Sequence, residues 1–253
     1  MVKAYFLFRA ELNDFLPQVQ REKIIPYEFA GRVAVKHAIE AMGVPHPEVQ
    51  CILAGNAVVD FSYLLRDGEE VEVFPGWNEI SDQTPPELRP PIAGKPKFIV
   101  DGHLGQLAVY LRLLGFDASY ENDIDDADMV QIAEQEGRVI LTRDVRLLMR
   151  KRVIYGYWLR SKTPRIQIRE VLQRYQLAGS IIPWRRCLRC NGKLQPVKKE
   201  AIWDRLEPLT KIYYDEFHRC NNCQRIYWKG SHYKPLKEIV QEIMKETEYR
   251  KPG

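Results

Sequence analysis

The sequence reads Phe98-Ile99-Val100-Asp101 at one point and Val139-Ile140-Leu141-Thr142-Arg143-Asp144 further on, and these two apolar runs, each ending in an aspartate, decide the fold. Such a run is typical of a buried parallel strand that delivers an acid to the carboxyl edge of a sheet. Between the two runs, the pattern predicts helices over residues 104–115 and 125–137, with a strand over residues 116–120. This β-α-β-α-β order predicts an α/β fold with a parallel sheet and right-handed crossovers.

The segment between the two strands also contains an acidic helix start, Asp123-Ile124-Asp125-Asp126-Ala127-Asp128. Open α/β sheets bind ligands at the carboxyl edge, and carboxylates gathered there repel one another unless a hard cation such as Mg²⁺ or Mn²⁺ lies among them. Such a cation activates water and stabilises charge on a phosphate group in the transition state. The sequence therefore predicts a metal-dependent phosphodiesterase that uses Asp101, Asp144 and one or two of these aspartates, while the others cap the helix or face solvent.

Charge is distributed unevenly along the chain. Residues 96–136 contain 2 Lys+Arg against 9 Asp+Glu, whereas residues 137–190 contain 14 against 2. An acidic site beside a basic segment is the pattern of a metal centre next to a polyanion track. Tyr155, Tyr157 and Trp158 offer faces for stacking unpaired bases, which favours single-stranded RNA or RNA ends, although each aromatic residue alone is more often part of a core. The residues expected to hold neighbouring phosphates are Arg143, Arg146, Arg150, Lys151 and Arg152.

Two Cys-x-x-Cys turns, Cys187-Leu188-Arg189-Cys190 and Cys220-Asn221-Asn222-Cys223, predict a tetrahedral four-sulfur site for Zn²⁺. The 29 intervening residues exceed the common spacing, and a β-hairpin insertion is expected to fill it. Disulfides are the alternative, and a cytoplasmic location argues against them. His218 is a second alternative ligand, ranked below the all-cysteine set. The remaining cysteine, Cys51, is expected to be a core thiol.

The segment up to Trp77 predicts a β-grasp order. Its expected elements are a strand over Val2–Phe8, a helix over residues 33–42 and short strands over residues 49–53, 57–61 and 71–74. The segment resembles the ubiquitin-like domains related to small sulfur carriers, but the chain continues past Gly76, so we interpret it as a module that binds a protein partner. Five prolines between residues 78 and 96 predict an extended linker.

Several stretches together resemble the Mut7-C family of PIN-like ribonucleases. In the α/β part they are Asp101-Gly102-His103-Leu104-Gly105-Gln106-Leu107-Ala108, Leu111-Arg112-Leu113-Leu114-Gly115-Phe116-Asp117, Asp125-Asp126 and Leu141-Thr142-Arg143-Asp144. In the cysteine part, which resembles the family's zinc ribbon, they are Arg186-Cys187-Leu188-Arg189-Cys190-Asn191, Cys220-Asn221-Asn222-Cys223 and Tyr227-Trp228-Lys229-Gly230-Ser231-His232.

The resemblance implies a PIN-like fold, dependence on Mg²⁺ or Mn²⁺, and cleavage of RNA. It assigns the acidic sites to Asp101, Asp126 and Asp144, with Asp128 in reserve. The chain departs from the family pattern in two places. Gln106 and Val109 stand in the first helix where basic residues are expected, and Arg146 stands where a further acidic residue is expected. The expected parts are a ubiquitin-like β-grasp domain at 1–77, a Pro-rich linker at 78–96, a PIN-like nuclease domain at 97–180, a zinc ribbon at 181–234 and a C-terminal helix and tail at 235–253.

Two functions follow as hypotheses. The first is a metal-dependent ribonuclease, and the alternative is a non-catalytic RNA- or ribosome-binding adaptor that keeps a PIN-like scaffold beside a zinc ribbon. Only the enzyme needs three carboxylates within reach of one cation. No stretch approaches 18 uninterrupted apolar residues, so no membrane span is predicted. The apolar start Val2–Phe8 is too short for a signal peptide, and a cytoplasmic location is expected.

Overall fold

In the computed structural model of this chain, the described residues are 2–76 and 88–248. The predicted linker therefore lies partly outside them, as does the end of the predicted tail. The α-helices are α1 (Val35–Ala41), α2 (Gly105–Leu113), α3 (Asp126–Glu136), α4 (Val145–Leu148), α5 (Pro164–Arg174), α6 (Pro208–Tyr213) and α7 (Tyr233–Glu248). The strands are β1 (Val2–Phe8), β2 (Ile25–Phe29), β3 (Cys51–Ala54), β4 (Ala57–Val58), β5 (Glu70–Phe74), β6 (Lys97–Val100), β7 (Ala118–Tyr120), β8 (Arg138–Thr142), β9 (Gly156–Trp158), β10 (Leu194–Val197), β11 (Phe217–Cys220) and β12 (Ile226–Trp228).

The chain divides into two compact units. The first comprises Met1–Ala93 and Asp144–Trp158, and the second comprises Gly94–Arg143 and Leu159–Gly253. Among the helices of the described ranges, none combines the length and the apolar character that crossing a membrane requires.

The first unit contains a mixed sheet of five strands in the order β2-β1-β5-β3-β4. The central strand β1 pairs antiparallel with β2 and parallel with β5. Because side chains alternate along a strand, Ala4, Phe6 and Phe8 all point into one core, where Val35 and Ile39 of α1 also lie. This arrangement is the β-grasp fold that the sequence predicts. It includes a second strand before the helix, β2, to which the sequence pattern assigned no residues because Pro26 and Glu28 interrupt the apolar residues.

The Asp144–Trp158 segment of the first unit is anchored by polar contacts. The Nε2 atom of His46 lies 2.6 Å from the carbonyl oxygen of Val153, and the amide of Trp158 donates to Glu48 Oε1 at 2.5 Å. The ring of Trp158 also lies 5.1 Å from that of Phe15, measured between centroids. Tyr157 is buried, so the aromatic residues at 157 and 158 both take part in packing.

The second unit is built on parallel strands in the order β7-β6-β8. Every residue of β8 and all but the first of β6 are buried, as expected for a parallel sheet with both faces covered. Helix α2 buries an apolar stripe that includes Leu107 and Leu111. The parallel α/β order read from the sequence is therefore confirmed.

The cysteine part of the second unit contains an antiparallel sheet in the order β10-β11-β12. The stretch between β10 and β11 is not the expected β-hairpin. It holds a 3₁₀ helix over Lys199–Arg205 and then α6, and Ile202, Leu206 and Phe217 form a small core beneath them. The C-terminal helix is amphipathic, with Val240 and Ile243 buried, and it packs against α5.

Candidate functional site

The four cysteines of the two Cys-x-x-Cys turns form one cluster. Their Sγ atoms all lie within 4.8 Å of one another, and Cys187–Cys223 and Cys190–Cys220 are 3.6 and 3.4 Å apart. Sulfur atoms around a tetrahedral Zn²⁺ lie about 3.8 Å apart, given Zn–S bonds of about 2.3 Å. Within residues 2–76 and 88–248, this is the only group of three or more His, Cys, Asp or Glu ligand atoms so close together, and His218 is not part of it. The cluster can therefore hold a structural metal such as zinc.

The two turns are built in the same way. The amide of Cys187 donates to the carbonyl of Gly192 at 2.8 Å, and the amide of Cys220 donates to the carbonyl of Arg225 at 2.9 Å. In each turn the residue after the second cysteine is left-handed, with φ of 65° at Asn191 and 59° at Gln224. These equivalent bonds curl each short segment so that its two sulfurs face one point. A Cβ at Gly192 would lie 2.7 Å from Cys220 Sγ, so only glycine fits there.

The pKa values of the clustered thiols are shifted in opposite directions. Burial alone would raise the pKa of Cys190, but the amide of Gly192 and bonds from Cys223 and Cys220 lower it to about 6. Burial and the neighbouring thiols raise the pKa of Cys223 to about 12. Four adjacent thiolates are stable only when a metal balances their charge, and metal binding then releases protons. The hydroxyl of Tyr227 lies 3.0 Å from Cys187 Sγ, within hydrogen-bond distance of that sulfur.

Arg112 fixes the first cysteine turn to the α/β sheet. Its side chain is buried, and Nη1 donates to the carbonyls of Leu188 and Arg189, both at 3.0 Å. Its Nε donates to the carbonyl of Ala118 at 2.9 Å. Burial lowers the pKa of Arg112. The negative charges of nearby groups, Cys187 first among them, act in the opposite direction and raise it. In the sequence, Arg112 belongs to a stretch that resembles the family, but no role could be assigned to it. Nothing in the local pattern indicates that a helix residue contacts a turn 76 positions away.

Asp117 is the second connection between the sheet and the cysteine turn. Its Oδ1 accepts hydrogen bonds from Asn191 Nδ2 and Arg138 Nη1, both at 2.7 Å, and its Oδ2 accepts one from Arg186 Nη2 at 2.9 Å. Burial alone would raise the pKa of Asp117, but the bonds from Arg138 and Asn191 and the charge of Arg186 leave it below its ordinary value. The first cysteine turn and the sheet thus share one partly buried polar network.

Asp101 follows β6 at the carboxyl edge of the parallel sheet, as predicted. Its Oδ2 accepts a hydrogen bond from the hydroxyl of Thr142 at 2.6 Å, and its Oδ1 accepts one from the amide of His103 at 3.1 Å. Thr142 is the last residue of β8 and is fully buried, so the strand holds the carboxylate in a fixed orientation. His103 contributes its backbone to this arrangement.

Tyr120 ties the loop after β6 to the acidic loop after β7. Its hydroxyl lies 2.9 Å from the carbonyl of Gly102 and 3.1 Å from Asn122 Oδ1. A Cβ at Gly105 would lie 2.7 Å from this hydroxyl, and a Cβ at Gly102 would collide with the carbonyl of Asn122. The two loops therefore approach so closely at Gly102 that this position requires glycine.

The acidic loop leads into α3. Asp125 is the N-cap, since its Oδ1 accepts a hydrogen bond from the amide of Asp128 at 2.8 Å, and Asp126 is the first helical residue. Asp126 and Asp128 are exposed. A cavity of about 340 Å³ opens here, lined by Glu121, Asp123, Ile124, Asp125, Asp128, Gln131 and Ile132. Of the predicted ligands, Asp128 lines this cavity, whereas Asp101 and Asp126 do not.

Asp144 belongs to the first unit, where it caps α4 by accepting a hydrogen bond from the amide of Arg146 at 2.8 Å. Asp101 and Asp126 belong to the second unit. Among the residues predicted to contact phosphates, Arg143 stabilises the backbone instead. Its Nη1 donates to the carbonyls of Leu159, Arg160 and Ser161, all within 3.0 Å. The other four are exposed: Arg146, Arg150, Lys151 and Arg152.

Fold and site together define a class of protein, namely a ubiquitin-like domain fused to a parallel α/β domain that carries a four-cysteine cluster able to hold a metal. The family model of the Mut7-C RNAse domain matches residues 96–240, and that of the Mut7-C ubiquitin domain matches residues 1–81. The chain belongs to the Mut7-C RNAse family, as the sequence motifs predicted, and has that family's ubiquitin domain. Neither the curated proteins nor the solved structures contain a match to it.

Proposed function

We propose that this chain is a metal-dependent ribonuclease that hydrolyses phosphodiester bonds of RNA. Asp101, Asp126 and Asp144 would hold one Mg²⁺ or Mn²⁺ ion, with Asp128 as a further ligand. Their carboxylate oxygens are hard donors of the kind these ions prefer. The bound ion would supply a water of lowered pKa and stabilise negative charge on the phosphate.

The observation that carries the proposal is the fixed carboxylate of Asp101 at the edge of the parallel sheet, beside an acidic loop. Thr142 orients one oxygen of this carboxylate, and Tyr120 holds the acidic loop against the backbone that follows. This support leaves further lone pairs on Asp101 for a cation, because each carboxylate oxygen can accept more than one bond. The match to an RNAse domain model supports the same activity.

The RNA would be single-stranded or carry free ends, and the exposed side chains of Arg146, Arg150, Lys151 and Arg152 would bind its phosphates. Arg143 would act indirectly, by shaping the backbone that follows Leu159. The ubiquitin-like domain would bind a protein partner. A reducing compartment such as the cytoplasm would suit the five free cysteines.

The test is incubation of purified protein with a panel of labelled RNAs in Mn²⁺, in parallel with Asp101→Asn and Asp144→Asn. Loss of a metal-ligating carboxylate should reduce cleavage by roughly a hundredfold or more. Asp204→Asn, at an exposed position in the cysteine part, is the matched control and should cleave normally. Equal residual cleavage by the wild type and both site variants would show that the activity is a contaminant.

The second candidate is a non-catalytic RNA- or ribosome-binding adaptor. One observation favours it: in the described part of the chain, no three carboxylates lie within 4.8 Å of one another. An adaptor would bind the same RNAs with an affinity that does not change with Mn²⁺ or with Asp144→Asn, and it would leave them intact.

We also propose that the four cysteines bind one structural Zn²⁺ and that β10, β11 and β12 form a zinc ribbon around it. Four sulfur ligands leave no open position for catalysis. Metal analysis of the purified protein should find one zinc per chain, and a value of zero would exclude the site.

A further inference from the structure

Exposed apolar side chains are concentrated in the stretch between β10 and β11. Trp203 is 47% exposed, Leu209 and Ile212 are each 68% exposed, and Tyr213 is 71% exposed. We call these four residues the insertion face. Scattered single apolar residues are normal on a protein surface, but several large ones within eleven positions indicate a binding surface.

Helix α6 exposes its apolar residues and buries a polar one, which is the reverse of the usual arrangement in a surface helix. Leu209, Ile212 and Tyr213 follow the i, i+3, i+4 spacing of one helix face, and that face is exposed, whereas Thr210 is the buried residue of the helix. The core beneath the insertion is complete without them, because Ile202, Leu206 and Phe217 fill it. The core of the insertion therefore leaves the apolar face of α6 exposed to solvent.

RNA is a poor occupant for this face. The ammonium groups of Lys211 and Lys199 lie 5.1 and 6.0 Å from the ring centroid of Trp203, so a stacking base would have to displace them. Lys199 is also paired with Asp215 at 2.7 Å. The stretch 198–216 contains 4 Lys+Arg against 5 Asp+Glu, so it offers no net positive charge to a phosphate backbone.

We propose that the insertion face binds the same face of a second copy of this chain, forming a two-fold symmetric dimer. A two-fold interface places a patch against itself, and a surrounding stretch with nearly equal numbers of both charges avoids strong repulsion between the two copies. The four side chains expose an area on the order of several hundred Å², which suits the apolar centre of an interface of about 800 Å² per partner. The inference goes beyond RNA cleavage and does not depend on it.

The test is sedimentation velocity of the full-length protein over a hundredfold range of concentration. The wild type should change from the mass of one chain to that of two, while Leu209→Glu combined with Ile212→Glu should remain a monomer. Val19→Glu combined with Ile24→Glu is the matched control, because these residues are 75% and 59% exposed in the first unit. This control should dimerise like the wild type.

Zinc content and circular dichroism establish that each variant is folded. If the glutamate pair loses zinc, Leu209→Ser combined with Ile212→Ser provides a milder disruption with the same expected result. A wild type that stays monomeric at every concentration overturns the proposal, and so does a folded insertion-face variant that still dimerises. Weaker binding of a labelled single-stranded RNA by a folded, monomeric variant than by the monomeric wild type would instead assign the face to RNA.

Discussion

The four cysteines and the predicted acidic ligands are both sets of metal-ligating side chains, but the chain holds them differently. The cysteine sulfurs lie within 4.8 Å of one another without any ion, because two short turns with equivalent backbone hydrogen bonds impose that arrangement. The acids come from separate strand ends and a helix start, and other groups orient both oxygens of Asp101. The cysteine cluster is thus preformed by local geometry, whereas the proposed acidic ligands come from segments that no short turn joins.

The largest effect in this comparison is expected from Cys220→Ser. Loss of one sulfur should abolish zinc binding, and a structural zinc contributes on the order of 10 kcal/mol to folding. The variant should contain no zinc by metal analysis and should unfold at a much lower temperature. Cys51→Ala changes the cysteine outside the cluster and should retain one zinc per chain. Full zinc content in Cys220→Ser would contradict the preformed site.

The next effect is expected from Arg112→Met, which removes the buried donor between the cysteine turn and the sheet. Three carbonyl groups, of Ala118, Leu188 and Arg189, would lose a partner, which should lower the free energy of unfolding by about 3 kcal/mol. Urea unfolding measures this change, and release of zinc to a chelator should be faster. Arg32→Met, at an exposed position, should change neither quantity. Equal stability of both variants would show that the cysteine turn does not depend on Arg112.

A smaller effect is expected from a change that tests the orientation of the Asp101 carboxylate. Thr142→Val keeps the size of the side chain but removes the 2.6 Å hydrogen bond to Asp101. Cleavage of RNA should fall about tenfold, equivalent to about 1.4 kcal/mol, and half-maximal activity should need more Mn²⁺. Thr210→Val, at a buried threonine far from Asp101 in the sequence, is the control and should leave the Mn²⁺ requirement unchanged. An unaltered Mn²⁺ requirement in Thr142→Val would exclude this orienting role.

The smallest effect is a change in pH dependence at Asp117. The pKa of this carboxyl group is lowered in the folded protein, so the folded state binds fewer protons than the unfolded state. The resulting stability is present above the ordinary aspartate pKa of 3.8 and is lost as the pH falls below it. Asp117→Asn should therefore differ most from the wild type at neutral pH, and the difference in unfolding free energy should shrink in acid. A constant difference across this range would refute the assignment.

Much of the architecture could be predicted from residue patterns. The apolar runs before Asp101 and Asp144 indicated buried parallel strands, and the two Cys-x-x-Cys turns indicated one cluster, because these signals lie within a few neighbouring residues. Strand β2 was missed because Pro26 and Glu28 obscure its alternation, although β1 pairs with it in register. The helical insertion after β10 was missed because spacing alone says nothing about what fills a gap.

By itself, the sequence indicated the family through the motifs that resemble it. It also determined the parallel α/β order and the cysteine cluster, because these depend on short-range periodicity or on turns that close within six residues. Only the tertiary structure decided that Arg112 and Asp117 join the cysteine turn to the sheet and that Thr142 orients Asp101. It also decided that α6 presents its apolar face to solvent. These contacts depend on which distant segments pack together, and burial and hydrogen bonding across the fold determine that choice.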